Sequence, residues 1–396
     1  MMPPVRERPR GEIAAGALVA AIAVASVTFG SVGEAEEPGR AGELRAKVRL
    51  NELARFDRPT FVGAPDDAGE VAYVVEREGA IRLLEGDRKL GTFLNMKRWV
   101  GCCRVETGLF SIAFPPNYER TRRFYVYFTN KQENIEIDEF KRSKRHQRKA
   151  DRGSRRKLIE IRQTGPVNHN GGTVAIGPDG LLYAATGDGG RFDDPSDNAQ
   201  RKGSLLGKLL RIDPKRGKRR PYRIPASNPY VGKKGQNEIY ARGLRNPFRL
   251  SFDGNRILIA DVGQRRREEV NVETVKRARG ANFGWPVYEG TLRFQAGKLA
   301  RHDKPAHQYS HSGGACSITG GNVIRDPRLG GLRGRYVYGD YCSGFVRTFI
   351  PKLGGSRKDN SLGISATGVV GFGTDARERV YVVEINSGQV SRIDPR

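Results

Sequence analysis

The chain has 396 residues, a formal net charge of +26 at pH 7, 37% hydrophobic residues and 50 glycines. So much glycine with so modest an apolar content suits many short strands joined by tight turns and argues against a long-helix bundle. No GxGxxG fingerprint, P-loop or HExxH motif occurs, so dinucleotide, nucleotide-phosphate and zinc-peptidase chemistries have no support.

The N-terminal segment has a positive start in Arg6, Arg8 and Arg10, an Ala-rich apolar run from Ile13 to Gly30, and small residues around Gly33-Glu34-Ala35. This pattern predicts an export signal over residues 1–35, with an uncleaved membrane anchor as the alternative. Either reading puts the following domain outside the cytoplasm, in the periplasm, at the cell surface or secreted. Residues 36–55 read as a linker, and the main domain is expected over 56–396.

Cys102, Cys103, Cys316 and Cys342 form an even set, in keeping with an oxidising compartment. Neighbouring Cα atoms across a trans peptide sit about 3.8 Å apart, whereas ordinary disulfides want roughly 4.4–6.8 Å. A Cys102–Cys103 bond is therefore expected to be strained, and Cys316–Cys342 is the ordinary bridge expected.

A pattern of turn, strand, turn, strand recurs along the chain, at residues 68–84, 118–130, 177–190, 252–264, 332–349 and 374–393. Alternating apolar positions such as Val71, Tyr73 and Val75 suit strands buried between stacked sheets. One such unit cannot bury both its faces alone, and radial repetition solves that problem. The repeats therefore predict an all-β fold, a six-bladed β-propeller, with a β-sandwich as the alternative. Ala46 to Ala54 is placed to add a closing strand to the last blade.

The run KRSKRHQRKADRGSRRK, Lys141 to Lys157, concentrates positive charge. It reads as a solvated hairpin, with contact to an anionic cell-surface polymer as the functional alternative. A nucleic-acid partner rests on charge only, because the repeats hold no aromatic-rich RNA motif or major-groove helix.

His169 lies in the Gly-rich turn PVNHNGGTVAIGPDG, residues 166–180. An imidazole titrates near neutrality, so in a turn at a propeller mouth it can take a proton from a substrate hydroxyl. Asp188, Asp193, Asp194 and Asp197 make an oxygen-rich loop further on, where Asp more often caps backbone groups than binds metal. His311, in YSHSGG, is a second turn histidine with a structural reading.

NHNGG, GPDGLLYAATGDGG, LLGKLLRIDP, ARGLRNPF, DVGQ with EEVNVE, and NFGWPVYEG occur in that order. This succession resembles the glucose/sorbosone dehydrogenase family, over roughly residues 56–394. That family includes soluble sugar dehydrogenases using pyrroloquinoline quinone (PQQ) and the propeller of Hedgehog-interacting proteins. The resemblance implies that His169 is the catalytic base and that Arg245 and Asn246 contact PQQ. It also implies calcium, with carbonyls of Gly263 and Gln264 at a cofactor-bridging ion and Glu269 and Phe283 at a structural one. Thr107 stands where the pattern keeps a cofactor-side Gln. Cys342 stands in place of a Lys, and the last repeat lacks an Arg pair, since Arg377 and Arg379 fall in its turn. The segment 316–344, with Cys316 and Cys342, resembles the disulfide-bearing, Hedgehog-interacting-protein-like branch.

The functional expectation is PQQ-dependent oxidation of an aldose or related alcohol, with electrons leaving to an external acceptor. The alternative is a non-enzymatic exported propeller that binds glycans, anionic polymers or a protein.

Overall fold

The computed structural model describes residues 47–163 and 165–396. The export signal expected over 1–35 and the start of the linker lie outside the described residues.

Six four-stranded antiparallel sheets carry the fold. Blade 1 is Pro59–Gly63, Val71–Glu76, Ala80–Glu85 and Arg88–Asn95, and blade 2 is Leu109–Ala113, Arg123–Thr129, Ile135–Arg142 and Ala150–Ile161. Blade 3 is Thr173–Ile176, Leu182–Thr186, Lys208–Ile212 and Ile239–Arg242. Blade 4 joins Arg249–Asp253, Arg256–Asp261 and Arg267–Thr274 to the distant His307–Ser310. The long gap between the fourth and fifth repeats is thus an excursion between the third and fourth strands of one blade, and it includes a small hairpin of Tyr288–Glu289 and Leu292–Arg293. Blade 5 is Ile318–Val323, Tyr336–Asp340, Phe345–Lys352 and Gly355–Ser365.

Blade 6 closes the ring with both ends of the domain. Val369–Thr374, Val380–Glu384 and Gln389–Pro395 are completed by Val48–Arg55, which runs antiparallel to Gln389–Pro395. The first strands of successive blades pack on one another, and blade 6 meets blade 1. This is the six-bladed propeller.

Strand alternation explains the stacking. In Arg123–Thr129, Phe124, Val126 and Phe128 join the apolar cluster shared with blade 1, while Tyr125 and Tyr127 join the one shared with blade 3. Each strand residue thus packs on one side or the other, as a period of two requires. Full burial of each such ring contributes about 1.5–3 kcal/mol.

On the axis, Arg249 is fully buried among backbone carbonyls. Its Nε donates to Val370 O at 3.0 Å, its Nη1 to Gly172 O at 3.4 Å and its Nη2 to Thr60 O at 2.5 Å. The guanidinium therefore ties blade 4 to blades 6, 3 and 1, and it stacks 4.0 Å from the Phe248 ring. Burial pushes its pKa down to about 9, so it stays charged at neutral pH.

Both cysteine pairs are bonded. Cys316 and Cys342 have Cα atoms 5.7 Å apart. Cys102 and Cys103 are also joined, with Cα atoms 3.1 Å apart across a cis peptide. The argument from trans spacing does not apply to that pair.

Candidate functional site

His169 sits in the turn that leads into the innermost strand of blade 3, at φ +50°, a left-handed conformation uncommon for a side-chain-bearing residue. Gly187, at the end of the neighbouring strand, makes room for it: a Cβ there would lie 1.9 Å from His169 O. The imidazole Nδ1 is 2.8 Å from Asp188 Oδ1. Asp188 Oδ2 accepts from Trp285 Nε1 at 2.8 Å, and Gly190 N donates to Oδ1 at 2.9 Å. An ionised carboxylate can only accept, so this arrangement assigns the proton to Nδ1 and leaves the Nε2 lone pair available. Nε2 has no hydrogen-bond partner among the described residues, and the side chain is 8% exposed. Asp188 thus serves as the histidine's orienting partner.

Arg245 and Asn246 lie on the link from blade 3 to blade 4. Asp261 fixes their backbone by accepting from Arg245 N at 2.9 Å and Asn246 N at 2.7 Å. Asn246 Oδ1 accepts from Gly171 N at 3.0 Å, tying this link to the His169 turn. The Arg245 guanidinium lies 5.5 Å from the Trp285 ring, and its Nε is buried without a partner among the described residues.

Glu106, which sequence reasoning did not single out, joins the two turns. Its Oε2 accepts from His169 N at 2.8 Å and from Asn246 Nδ2 at 3.3 Å. Thr107 faces the other way: its hydroxyl bonds Arg104 N and Arg104 O, each at 2.8 Å, and it does not line the mouth cavity. Only its carbonyl bears on the site, accepting from Arg77 Nε at 2.8 Å.

That cavity, of about 480 Å³, is lined by Arg58, Arg77, Glu106, Asn246 and Tyr341 among others. Its two cations come from blade 1, which the family pattern did not mark. Arg58 is paired with Glu78 and, at 3.8 Å, with Asp57. Among the described residues Arg77 bonds only carbonyls, those of Thr107, Arg104 and Val105. Arg377 pairs with Glu70 and Arg379 with Asp375, and neither lines the cavity.

On the blade 5 wall, Asp340 organises the disulfide turn. Oδ2 accepts from Cys316 N and Ser317 N at 3.0 and 2.9 Å, and Oδ1 from Cys342 N and Ser343 N at 3.0 and 2.9 Å. Ser317 and Tyr341 are thereby set against the cavity.

The residues expected at calcium divide. Gly263 O accepts from Arg245 Nη1 at 2.7 Å, and the Gln264 side chain is paired with Asp193 at 2.6 Å. The guanidinium takes one lone pair of the Gly263 carbonyl and leaves the second, and the Gln264 side-chain pairing leaves its carbonyl uncommitted. Glu269 lies in a small chamber with Asp261, Glu289 and Arg267. Burial first and Asp261 second push its carboxyl up to about 8. Glu289 Oε2 and the Oδ1 of Asn271, whose amide bonds Glu269, are buried without partners among the described residues. Unpaired oxygens around a buried carboxylate suit a hard cation. The Phe283 side chain packs in the apolar cluster with Leu244 and Leu250.

Asp193 and Asp194 have structural partners. Asp194 caps Asn198 N and Ala199 N at 2.9 and 2.8 Å, and burial pushes it up to about 7. His311 Nε2 lies 2.7 Å from Glu268, whose hydrogen bond holds the imidazole above its ordinary value.

The sequence pattern of the family described as Glucose / Sorbosone dehydrogenase matches residues 58–339. The chain belongs to this glucose/sorbosone dehydrogenase family. It is 34% identical to the HIPL1 protein of Arabidopsis thaliana over 269 residues, covering 56% of this chain and 38% of the relative. It is 25% identical to the Hedgehog-interacting protein of Homo sapiens over 343 residues, covering 80% of this chain and 47% of the relative. The match thus spans less than half of either relative's length. The PQQ-bound aldose sugar dehydrogenase of Streptomyces coelicolor superposes with a TM-score of 0.70 at 21% identity, covering 88% of this chain and 98% of that one. At that identity the likeness establishes the shared propeller fold.

Proposed function

We propose that this family propeller oxidises a sugar or related alcohol, with His169 as the base that removes the hydroxyl proton. The observation that carries the reading is the His169–Asp188–Trp285 chain, which leaves Nε2 without a hydrogen-bond partner among the described residues, in a turn tied to Asn246 through Gly171 N. As the C–H hydride leaves the substrate carbon, Nε2 takes the O–H proton and Asp188 balances the resulting imidazolium. PQQ, when bound, supplies the two-electron acceptor, and an external acceptor then removes the electrons. The mouth has room for a planar ligand, and Arg77, bonded to carbonyls and to no carboxylate among the described residues, is the cation there best placed to meet an anionic group. Glu269 is the residue proposed to hold calcium. Two disulfides support an oxidising, extracytoplasmic setting.

The test is reduction of an artificial acceptor by the purified chain with aldoses, PQQ and calcium. Activity in the wild type that is lost in His169→Ala is expected, whereas an inactive wild type or equal rates would refute the reading.

A second reading, a non-enzymatic mouth that binds a glycan or protein, draws on Glu106. Its carboxylate opposes an anionic cofactor, and Tyr341 beside Cys342 replaces the expected Lys wall. Calorimetry showing ligand binding without any PQQ affinity would favour it.

A further inference from the structure

The basic run at 141–157 is divided by the fold. In its second half the charges are neutralised: Arg155 meets Asp138 at 2.5 Å, Arg156 meets Glu139 at 2.7 Å, and Lys157 meets Glu136 at 3.2 Å. In its first half, the turn between the last two strands of blade 2, Lys144, Arg145 and Arg148 are exposed and have no side-chain partner among the described residues.

A second group of unpaired cations lies outside that run. Arg216, Lys218 and Arg219, after the third strand of blade 3, are exposed and likewise unpartnered among the described residues. The Arg156 guanidinium joins this segment to the blade 2 edge, donating to Pro214 O at 2.6 Å and to Pro221 O. The two groups therefore flank one outer strand, Ala150–Ile161. From Arg148 to Arg156 that edge runs about 25 Å at ~3.3 Å per residue.

We propose that this edge, from the 143–149 turn to the 215–219 segment, binds a linear anionic polysaccharide. A row of separated, uncompensated cations matches an extended polyanion and would leave a compact anion with most of its charges unmet. The nearby aromatic, Trp99, is covered by Arg98 at 4.0 Å and Arg155 at 4.7 Å, so it offers no open platform for nucleobases. Neither segment carries an exposed large apolar side chain, so nothing there would enter a lipid surface. Disulfides place the chain where acidic glycans, not nucleic acids, are the common polyanions. The surface does not depend on a cofactor in the mouth.

The experiment measures binding of the full chain to polygalacturonate and dextran sulfate, with neutral dextran as reference, across a salt series. Two triple variants, K144A/R145A/R148A and R216A/K218A/R219A, are compared with their combination. A charge-matched control, K352A/R357A/K358A, lies on the blade 5 edge. Each triple is expected to weaken polysaccharide binding about tenfold, and the combination more than that with a flatter salt dependence, while the control stays within about twofold. Unchanged binding in the combined variant would overturn the proposal. So would equal binding of neutral dextran, or tighter binding of duplex DNA or anionic vesicles.

Discussion

His169 Nδ1 and Asp188 Oδ1 meet at 2.8 Å, and the opposite Asp188 oxygen is held by Trp285 Nε1 at the same distance. The carboxylate thus fixes both the tautomer and the plane of the ring. Asp188→Asn presents an amide there, which can donate to Nδ1 and leave the proton on Nε2. The rate should fall by about 10²-fold, within the 10²–10⁴ range of positioned acid–base groups, while KM changes by only a few-fold. Steady-state acceptor reduction checks this, and an unchanged kcat would remove Asp188 from the mechanism.

Glu106 has two opposed effects. It anchors His169 N and Asn246 Nδ2, and it puts negative charge in the mouth. Glu106→Gln keeps an acceptor and removes the charge, so PQQ should bind more tightly by calorimetry. Glu106→Ala leaves His169 N unsatisfied, at a cost of about 1–3 kcal/mol in chemical denaturation. Weaker PQQ binding by Glu106→Gln would mean that the carboxylate helps to hold the ligand.

The blades were legible in the sequence because strand alternation and turn residues are local signals, and Val71, Tyr73 and Val75 carry them openly. His169 stood out through its Gly-rich turn, Arg245 and Asn246 only through the resemblance to the family, and the pairing of Asp188 with His169 was not foreseen, since the acids of that loop read as backbone caps. Glu106, Arg58 and Arg77 were not legible, since nothing local distinguishes a mouth-facing charge from a solvated one. They converge only when blade 1 and the loop before blade 2 close on blade 4. The charge run misled in part for the same reason: cross-strand partners Glu136, Asp138 and Glu139 neutralise its second half.

The Cys316–Cys342 bridge spans 26 residues of sequence. A loop of that size contributes about 3.5 kcal/mol through the unfolded chain. The Cys316→Ser/Cys342→Ser double variant should lose about that much in denaturant titration. It should also bind mouth ligands less tightly, because the turn that carries Ser317 and Tyr341 is released. Unchanged stability would show that Asp340 alone holds the turn.

Ring closure should be acid-sensitive through Asp394. Burial raises its carboxyl, but hydrogen bonds from Arg392 and Asn51, with the charges of Arg392 and Arg328, outweigh burial and hold it below the ordinary value. A group depressed in the folded state stabilises fully above its unfolded pKa of about 3.9. That contribution is lost as pH falls through the lower folded value. Asp394 is itself buried, but its partner Arg328 is 36% exposed and solvent screens that pair, so Asp394→Asn should cost only about 0.5–1 kcal/mol at pH 7. The difference from wild type should start to shrink as the pH drops below about 4 and vanish once the pH passes the lower folded value, where both chains carry a neutral side chain. Denaturation curves at pH 7, 4 and 3 test this. A gap that stays constant with pH would assign the effect of the substitution to packing between Val48–Arg55 and Gln389–Pro395, not to the charge.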